Sequence, residues 1–135
     1  MAVREEIRQM GVQARAASHG LRSLSSAVKD KALLTVADKL PAATQMLLEE
    51  NRRDLEAGRA AGLTPAMLDR LTLTEARIRA MAESLRQVAA LPDPVGEIVT
   101  QVVRPNGLRI AQIRQPLGVV GIIYESRPNV TADAA

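Results

Sequence analysis

Leu117-Gly118-Val119-Val120-Gly121-Ile122-Ile123-Tyr124, followed by Glu125-Ser126-Arg127-Pro128-Asn129, is the stretch whose reading decides the fold. The apolar run is β-branched, too short to span a bilayer, and opens directly into polar residues. Such a run predicts a strand buried on both faces, as parallel strands covered by helices are. Burying Val119, Val120, Ile122 and Ile123 there stabilises the fold by about 1.5–3 kcal/mol each. Ligands of open α/β sheets sit just beyond the carboxyl ends of their strands. Residues 125–129 therefore occupy the place where chemistry is expected.

Upstream, two alternating segments, 96–104 and 108–114, predict a hairpin. Arg104-Pro105-Asn106-Gly107 joins them. Pro105 fixes its φ near −65°, which excludes the mirror-image two-residue turn an Asn-Gly pair otherwise suggests. A type I turn with Gly107 left-handed, followed by a bulge, is expected instead. Two strands alone are marginal in water, so the hairpin needs another surface, its own domain or a neighbouring subunit. Pro116 breaks the ladder and redirects the chain into the apolar run.

The region before the hairpin is helical. Val3, Ile7, Met10, Ala14 and Ala17 recur at three- and four-residue steps, and His19-Gly20 is expected to end that helix with Gly20 in a left-handed turn. His19 is the only histidine and reads as structural. Ser25-Ser26 offers a cap for a helix to about residue 40, with Val28, Ala32, Val36 and Leu40 on one edge of its buried stripe and Leu33 and Ala37 widening it. Pro41 is expected at the first position of the next helix, running to Ala57-Gly58 or slightly beyond. The mixed charges at 49–56 read as a solvated face without metal-ligand spacing. Thr64-Pro65 starts a short helix through residue 71. Thr74 caps another, whose Ile78, Met81, Ala82, Leu85, Val88 and Ala89 follow helical spacing. Leu91-Pro92-Asp93-Pro94 stops it.

Composition narrows the function. The chain has 135 residues, a one-domain length, with 47% apolar and 24% charged residues. One Tyr is the only aromatic, so the core is built from Leu, Ile, Val, Met and Ala. The net charge of +3 comes with acids interleaved among the arginines, and no aromatic platform exists for stacking bases, so nucleic acid is not an expected partner. With no Cys there is neither disulfide nor thiol chemistry in these residues. No segment is a signal peptide or long enough to cross a membrane, and a soluble cytoplasmic protein without a metal site is expected. After Asn129, Val130 to Ala135 looks like a helix start, with Asn129 or Thr131 as cap and Asp133 in the first turn. One helical turn cannot return to form a second parallel strand. The sequence therefore reads as the front of a larger α/β protein.

Residues 108–135, LRIAQIRQPLGVVGIIYESRPNVTADAA, resemble the gamma-glutamyl phosphate reductase (glutamate-5-semialdehyde dehydrogenase) family, a branch of the aldehyde dehydrogenase superfamily. Residues 26–34, and 61–63 with 68–78, resemble the same family, and YESRPNVT at 124–131 is the most specific piece. The resemblance spans essentially this whole chain but about the first third of a family member. It implies an N-terminal helical layer, a β-hairpin arm, and the first strand and helix of a Rossmann-like cofactor domain. The implied divisions are 1–95, helical part of the NADP-binding domain; 96–117, oligomerisation hairpin; and 118–135, first parallel strand, active-site loop and helix start. The implied activity is a cytoplasmic step of proline biosynthesis, NADPH-dependent reduction of gamma-glutamyl phosphate to glutamate-5-semialdehyde and phosphate, through a thioester on a cysteine. That cysteine is absent here, so these residues by themselves are expected to be inactive and to bind NADPH weakly or not at all.

Site residues follow from the same resemblance. The superfamily's oxyanion asparagine corresponds best to Asn129, about two positions later than a gapless alignment puts it, which leaves Arg127 in competition. Arg127 is also placed to pair with a substrate carboxylate or phosphate through its planar fork. Glu125, Ser126 and Pro128 are the cofactor-side candidates. A Gly-x-Gly-x-x-Gly fingerprint is missing, and the superfamily implies a different pyrophosphate grip. The hairpin at 96–117 is expected to join a homo-oligomer. A second reading, from another class, is a non-catalytic truncated paralogue acting through that hairpin as a subunit-binding or regulatory module.

Overall fold

A computed structural model describes residues 2–125 and 127–134. Six helices and two strands follow in the order α1 (Ala2–Leu21), α2 (Ser26–Ala42), α3 (Thr44–Ala60), α4 (Pro65–Leu71), α5 (Glu75–Ala89), β1 (Ile98–Val103), β2 (Arg109–Ile113) and α6 (Val130–Ala134). They fall into two compact units, Met1–Ser26 with Pro92–Gly121, and Ala27–Leu91 with Ile122–Ala135.

In the first unit α1 runs past its expected end. Gly20 stays helical and does not take a left-handed turn; the Ser23 hydroxyl donates to the Gly20 carbonyl at 3.0 Å, satisfying an end-of-helix acceptor without one. No residue of α1 is buried. The hairpin has the expected turn. Gly107 N–H donates to the Arg104 carbonyl at 2.9 Å, and Gly107 sits at φ +83°, where only glycine is unstrained. The strands pair antiparallel from Val103 opposite Arg109 to Ile98 opposite Ile113, with an irregularity between Ile98 and Thr100. An Arg114–Glu97 ion pair at 2.7 Å flanks the open end. Every residue of both strands is exposed.

The apolar run at 117–124 departs from expectation. It forms no strand, and its side chains are exposed, Leu117 at 96% and Ile123 at 104%. Among the described residues β1 and β2 bond only to each other, so no ladder is offered to it. Without a neighbouring strand and covering helices, an apolar run has nothing to be buried against.

The second unit holds the core. Ile78, Met81, Ala82 and Leu85 of α5 are buried as their spacing predicts, whereas Val88 is 53% exposed. Ala37 of α2 clusters with Ala82 and Leu85, and Leu33 and Leu40 pack against them. The buried edge of α2 is thus Leu33, Ala37 and Leu40; Val28, Ala32 and Val36 are exposed. Pro41 lies inside α2 and does not open α3. Its missing N–H would have bonded the Ala37 carbonyl four residues back, and Arg86 Nη2 reaches that oxygen at 3.5 Å while pairing with Asp38 at 2.9 Å. The break between α2 and α3 is the single residue Ala43.

Thr64 and Thr74 cap α4 and α5 as expected, accepting from the Met67 and Arg77 N–H groups. α3 ends at Ala60, slightly beyond Gly58 as the sequence allowed, but two of its residues depart from the reading of 49–56 as a solvated face and of Gly58 as a helix-end residue. Asn51, within the charged run, is buried, and Gly58 is buried two residues before the helix ends, facing Leu63, Leu68 and Leu71.

Candidate functional site

Polar residues after the apolar run are organised by the start of α6. The Val130 N–H donates to the Arg127 carbonyl at 3.1 Å, closing a turn, and Asp133 N–H donates to the Asn129 carbonyl at 3.0 Å, opening the helix. Asn129 therefore occupies the cap position. Its side chain does not cap: Nδ2 donates to Asp133 Oδ2 at 2.8 Å. The hydroxyls of Tyr124 and Thr131 lie 2.6 Å apart, tying the end of the apolar run to the first turn of α6. The first of these bonds lies within the opening turn of α6, and the second joins the residues on either side of 125–129.

The sequence-predicted site residues are distributed along that loop. Glu125 and Arg127 are exposed, and no ion pair joins Arg127 to another described residue. Pro128 and Asn129 are half-buried. Ser126 lies outside the described residues. An exposed guanidinium keeps all its donors for an incoming carboxylate or phosphate.

Against α5 the loop forms a cavity of about 260 Å³. Leu73 and Met81 supply apolar lining; Arg77, Ser84, Asn129 and Asp133 supply polar groups. Arg77 is tied elsewhere. Its Nη1 donates to the Asp69 and Thr72 carbonyls at 2.5 and 2.7 Å, and its Nη2 pairs with Asp69 Oδ1 at 3.1 Å, closing the C-terminus of α4. Sequence reasoning missed this cavity. Asp133 was legible only as a first-turn acid, and no pattern in one sequence announces that Ser84 and Asp133, 49 positions apart, line the same space.

A polar loop running into a helix start, a helical layer and a two-stranded hairpin define part of an α/β fold. No family model matches the chain. Over all 135 residues it is 56% identical to the gamma-glutamyl phosphate reductase of Geobacter sp. (strain M21), covering 32% of that protein. The crystal structure of gamma-glutamyl phosphate reductase from Thermotoga maritima superimposes with a TM-score of 0.92, at 42% identity, over 96% of this chain and 31% of that one. The Saccharomyces cerevisiae enzyme gives 0.89 at 32% identity over 93% of this chain and 32% of that one. The chain thus spans about a third of the length of the curated relatives it matches. The likeness read from residues 108–135 extends along the whole sequence: this chain is homologous to gamma-glutamyl phosphate reductases.

The nicotinamide dinucleotide expected from the sequence resemblance is not enclosed by the described residues by themselves. Clefts for drug-sized ligands run to about 300–1,000 Å³ and enclose most of the ligand. The cavity at α6 is smaller, and Glu125 stands exposed with no enclosing wall. No helix among the described residues is long and apolar enough to cross a membrane.

Proposed function

We propose that this chain serves as the first third of a cytoplasmic gamma-glutamyl phosphate reductase of proline biosynthesis, which reduces gamma-glutamyl phosphate with NADPH to glutamate-5-semialdehyde and phosphate. The observation that carries the reading is 56% identity, over all 135 residues, to a protein of that name. In it the divisions are 1–95 and 118–135 as parts of the NADP-binding domain, with 96–117 as an arm joining subunits of a homo-oligomer. The bare faces of the hairpin support that arm.

Arg127 and Asn129 divide the work at the loop. An acyl phosphate loses phosphate when a nucleophile attacks its carbonyl, and the charge on the carbonyl oxygen and the departing phosphate needs fixed donors. Arg127 is the better supported anion partner, being exposed and without an ion pair among the described residues. Asn129 already gives one N–H to Asp133, and an oxyanion beside it would be opposed by that carboxylate. Asn129 keeps a second N–H for a neutral contact. Glu125, Ser126 and Pro128 lie on the cofactor side. The cysteine nucleophile comes from residues this sequence does not contain.

The test is an assay of the complete native product for NADP reduction with glutamate-5-semialdehyde and phosphate, the reaction in reverse. Turnover by the product and none by the 135-residue chain alone is expected. Turnover by the chain alone, or none by the product, overturns the reading.

A further inference from the structure

The cavity between α5 and α6 has on its lining a carboxylate, Asp133, that no ion pair joins to another described residue. Among the described residues the only side-chain partner of Asp133 is the neutral amide of Asn129, at 2.8 Å. Arg77 shares the cavity but spends its Nη groups on the Asp69 and Thr72 carbonyls and the Asp69 carboxylate. Leu73 and Met81 make part of the lining apolar, while Asp133 and Ser84 are exposed and open to a ligand arriving from solvent. The acceptors form a set. Asp133 offers a carboxylate oxygen, Asn129 its Oδ1 (the Nδ2 end being held by Asp133), and Ser84 a hydroxyl. An ammonium group carries three N–H donors and no acceptor, which matches that set. The volume suits an amino-acid-sized group and not a dinucleotide.

We infer that Asp133, with Asn129 and Ser84, binds the α-ammonium group of an amino-acid substrate in this cavity and so selects aminated over plain acyl substrates. This rests on the reductase reading and adds to it the residue that recognises the amino end.

The experiment compares, in the complete native product, the oxidation of glutamate-5-semialdehyde with that of 5-oxopentanoate, the same chain without its amino group. The wild type is expected to favour the aminated substrate. Asp133→Asn keeps an oxygen to accept from Asn129 but removes the charge. It is expected to lower kcat/KM for glutamate-5-semialdehyde by about tenfold or more, chiefly through KM, with little change for 5-oxopentanoate. Asp133→Glu is expected to restore part of the preference. Because the readout is a ratio within each variant, a general loss of folded protein cancels. An unchanged ratio in Asp133→Asn overturns the inference while leaving the reductase reading intact; a wild type that oxidises neither substrate overturns both.

Discussion

The Asn51 side chain takes the place of a strand partner for Leu73: its Oδ1 accepts the Leu73 backbone N–H at 2.7 Å while its Nδ2 donates to the Leu71 carbonyl at 2.8 Å. The α4–α5 junction is thereby fixed to α3. Asn51 is 4% exposed and Leu71 and Leu73 are half-buried, so removing it leaves two backbone groups without their partner. Asn51→Leu, close in size but unable to bond, is expected to cost about 2–4 kcal/mol, from the desolvation penalty of an unmade bond counted at both groups. Urea denaturation of the chain checks it. A loss below about 0.5 kcal/mol, the range of ordinary surface substitutions, would show that water reaches the junction.

Gly58 is the second point where α3 meets α4. A Cβ there would lie 2.9 Å from Leu63 Cδ1 and 3.3 Å from Leu68 Cδ2. Helix propensity favours replacing a mid-helix glycine by about 1 kcal/mol, and crowding opposes it. Crowding wins for a large side chain: Gly58→Leu is expected to cost about 1–3 kcal/mol. The midpoint of urea unfolding should fall with little change in slope.

These two residues show where the sequence was legible and where it was not. Helix starts at Thr64 and Thr74 were readable because a cap bonds its own next turn. The core face of α5 was readable because periodicity is local, and the hairpin turn because Pro105 leaves few backbone options. Asn51 was not readable. Amid Glu49, Glu50, Arg52 and Arg53 it looks solvated, and only contact with residues some twenty positions away makes it structural. Pro41 misled for a related reason, since the Arg86 donor that accommodates it comes from another helix. The run at 117–124 misled: its composition reads as a buried strand, but it forms none, because a strand takes neighbours that the described residues do not supply. Site residues at 125–129 were named by resemblance; the Asp133 contact that bears on their roles was not.

Surface charge on α3 gives a pH prediction. Hydrogen bonds from Arg52, then its charge and that of Arg53, hold the Glu49 carboxyl below the ordinary carboxylate range. A lowered folded pKa means that the contribution is present above the unfolded value and lost as pH falls through the folded one. The Glu49 side-chain titration, followed by NMR, is expected to have its midpoint below that of an unpaired glutamate. Arg52→Gln should move it back up, and added salt should move it part of the way. Both partners are exposed, so global stability should respond little.

At the proposed active site Arg127→Ala in the complete product is expected to lower kcat/KM by about ten- to a thousandfold, the range for losing one charged donor to a developing anion. Arg127→Lys restores charge without the planar fork, and recovery should be partial. Steady-state kinetics at saturating and limiting substrate separate a phosphate or carboxylate contact, which raises KM, from oxyanion stabilisation, which lowers kcat. Wild-type constants in Arg127→Ala would remove this residue from the site.

The hairpin gives the last prediction. Val102 and Ile110 face each other across the ladder, and both are exposed, as are Ile98 and Ile113 near the open end. An isolated two-stranded ribbon is marginal in water, and a bare apolar edge is a template for another chain. The wild-type chain is therefore expected to associate, and the complete product to be oligomeric. Placing a like-charged pair opposite one another, Val102→Lys with Ile110→Lys, should weaken both the ladder and any surface docked on it. Sedimentation velocity is expected to show a shift toward monomer in the double variant. The single variant Thr100→Lys, opposite Gln112 on the same pair of strands, separates the effects of charge and lost apolar contact. It adds one charge while leaving the apolar pair in place, and it should shift the equilibrium less. A wild-type chain that sediments as a clean monomer with slowly exchanging hairpin amides would mean that the ribbon is stable unaided, and the arm would lose its physical reason to bind a neighbour.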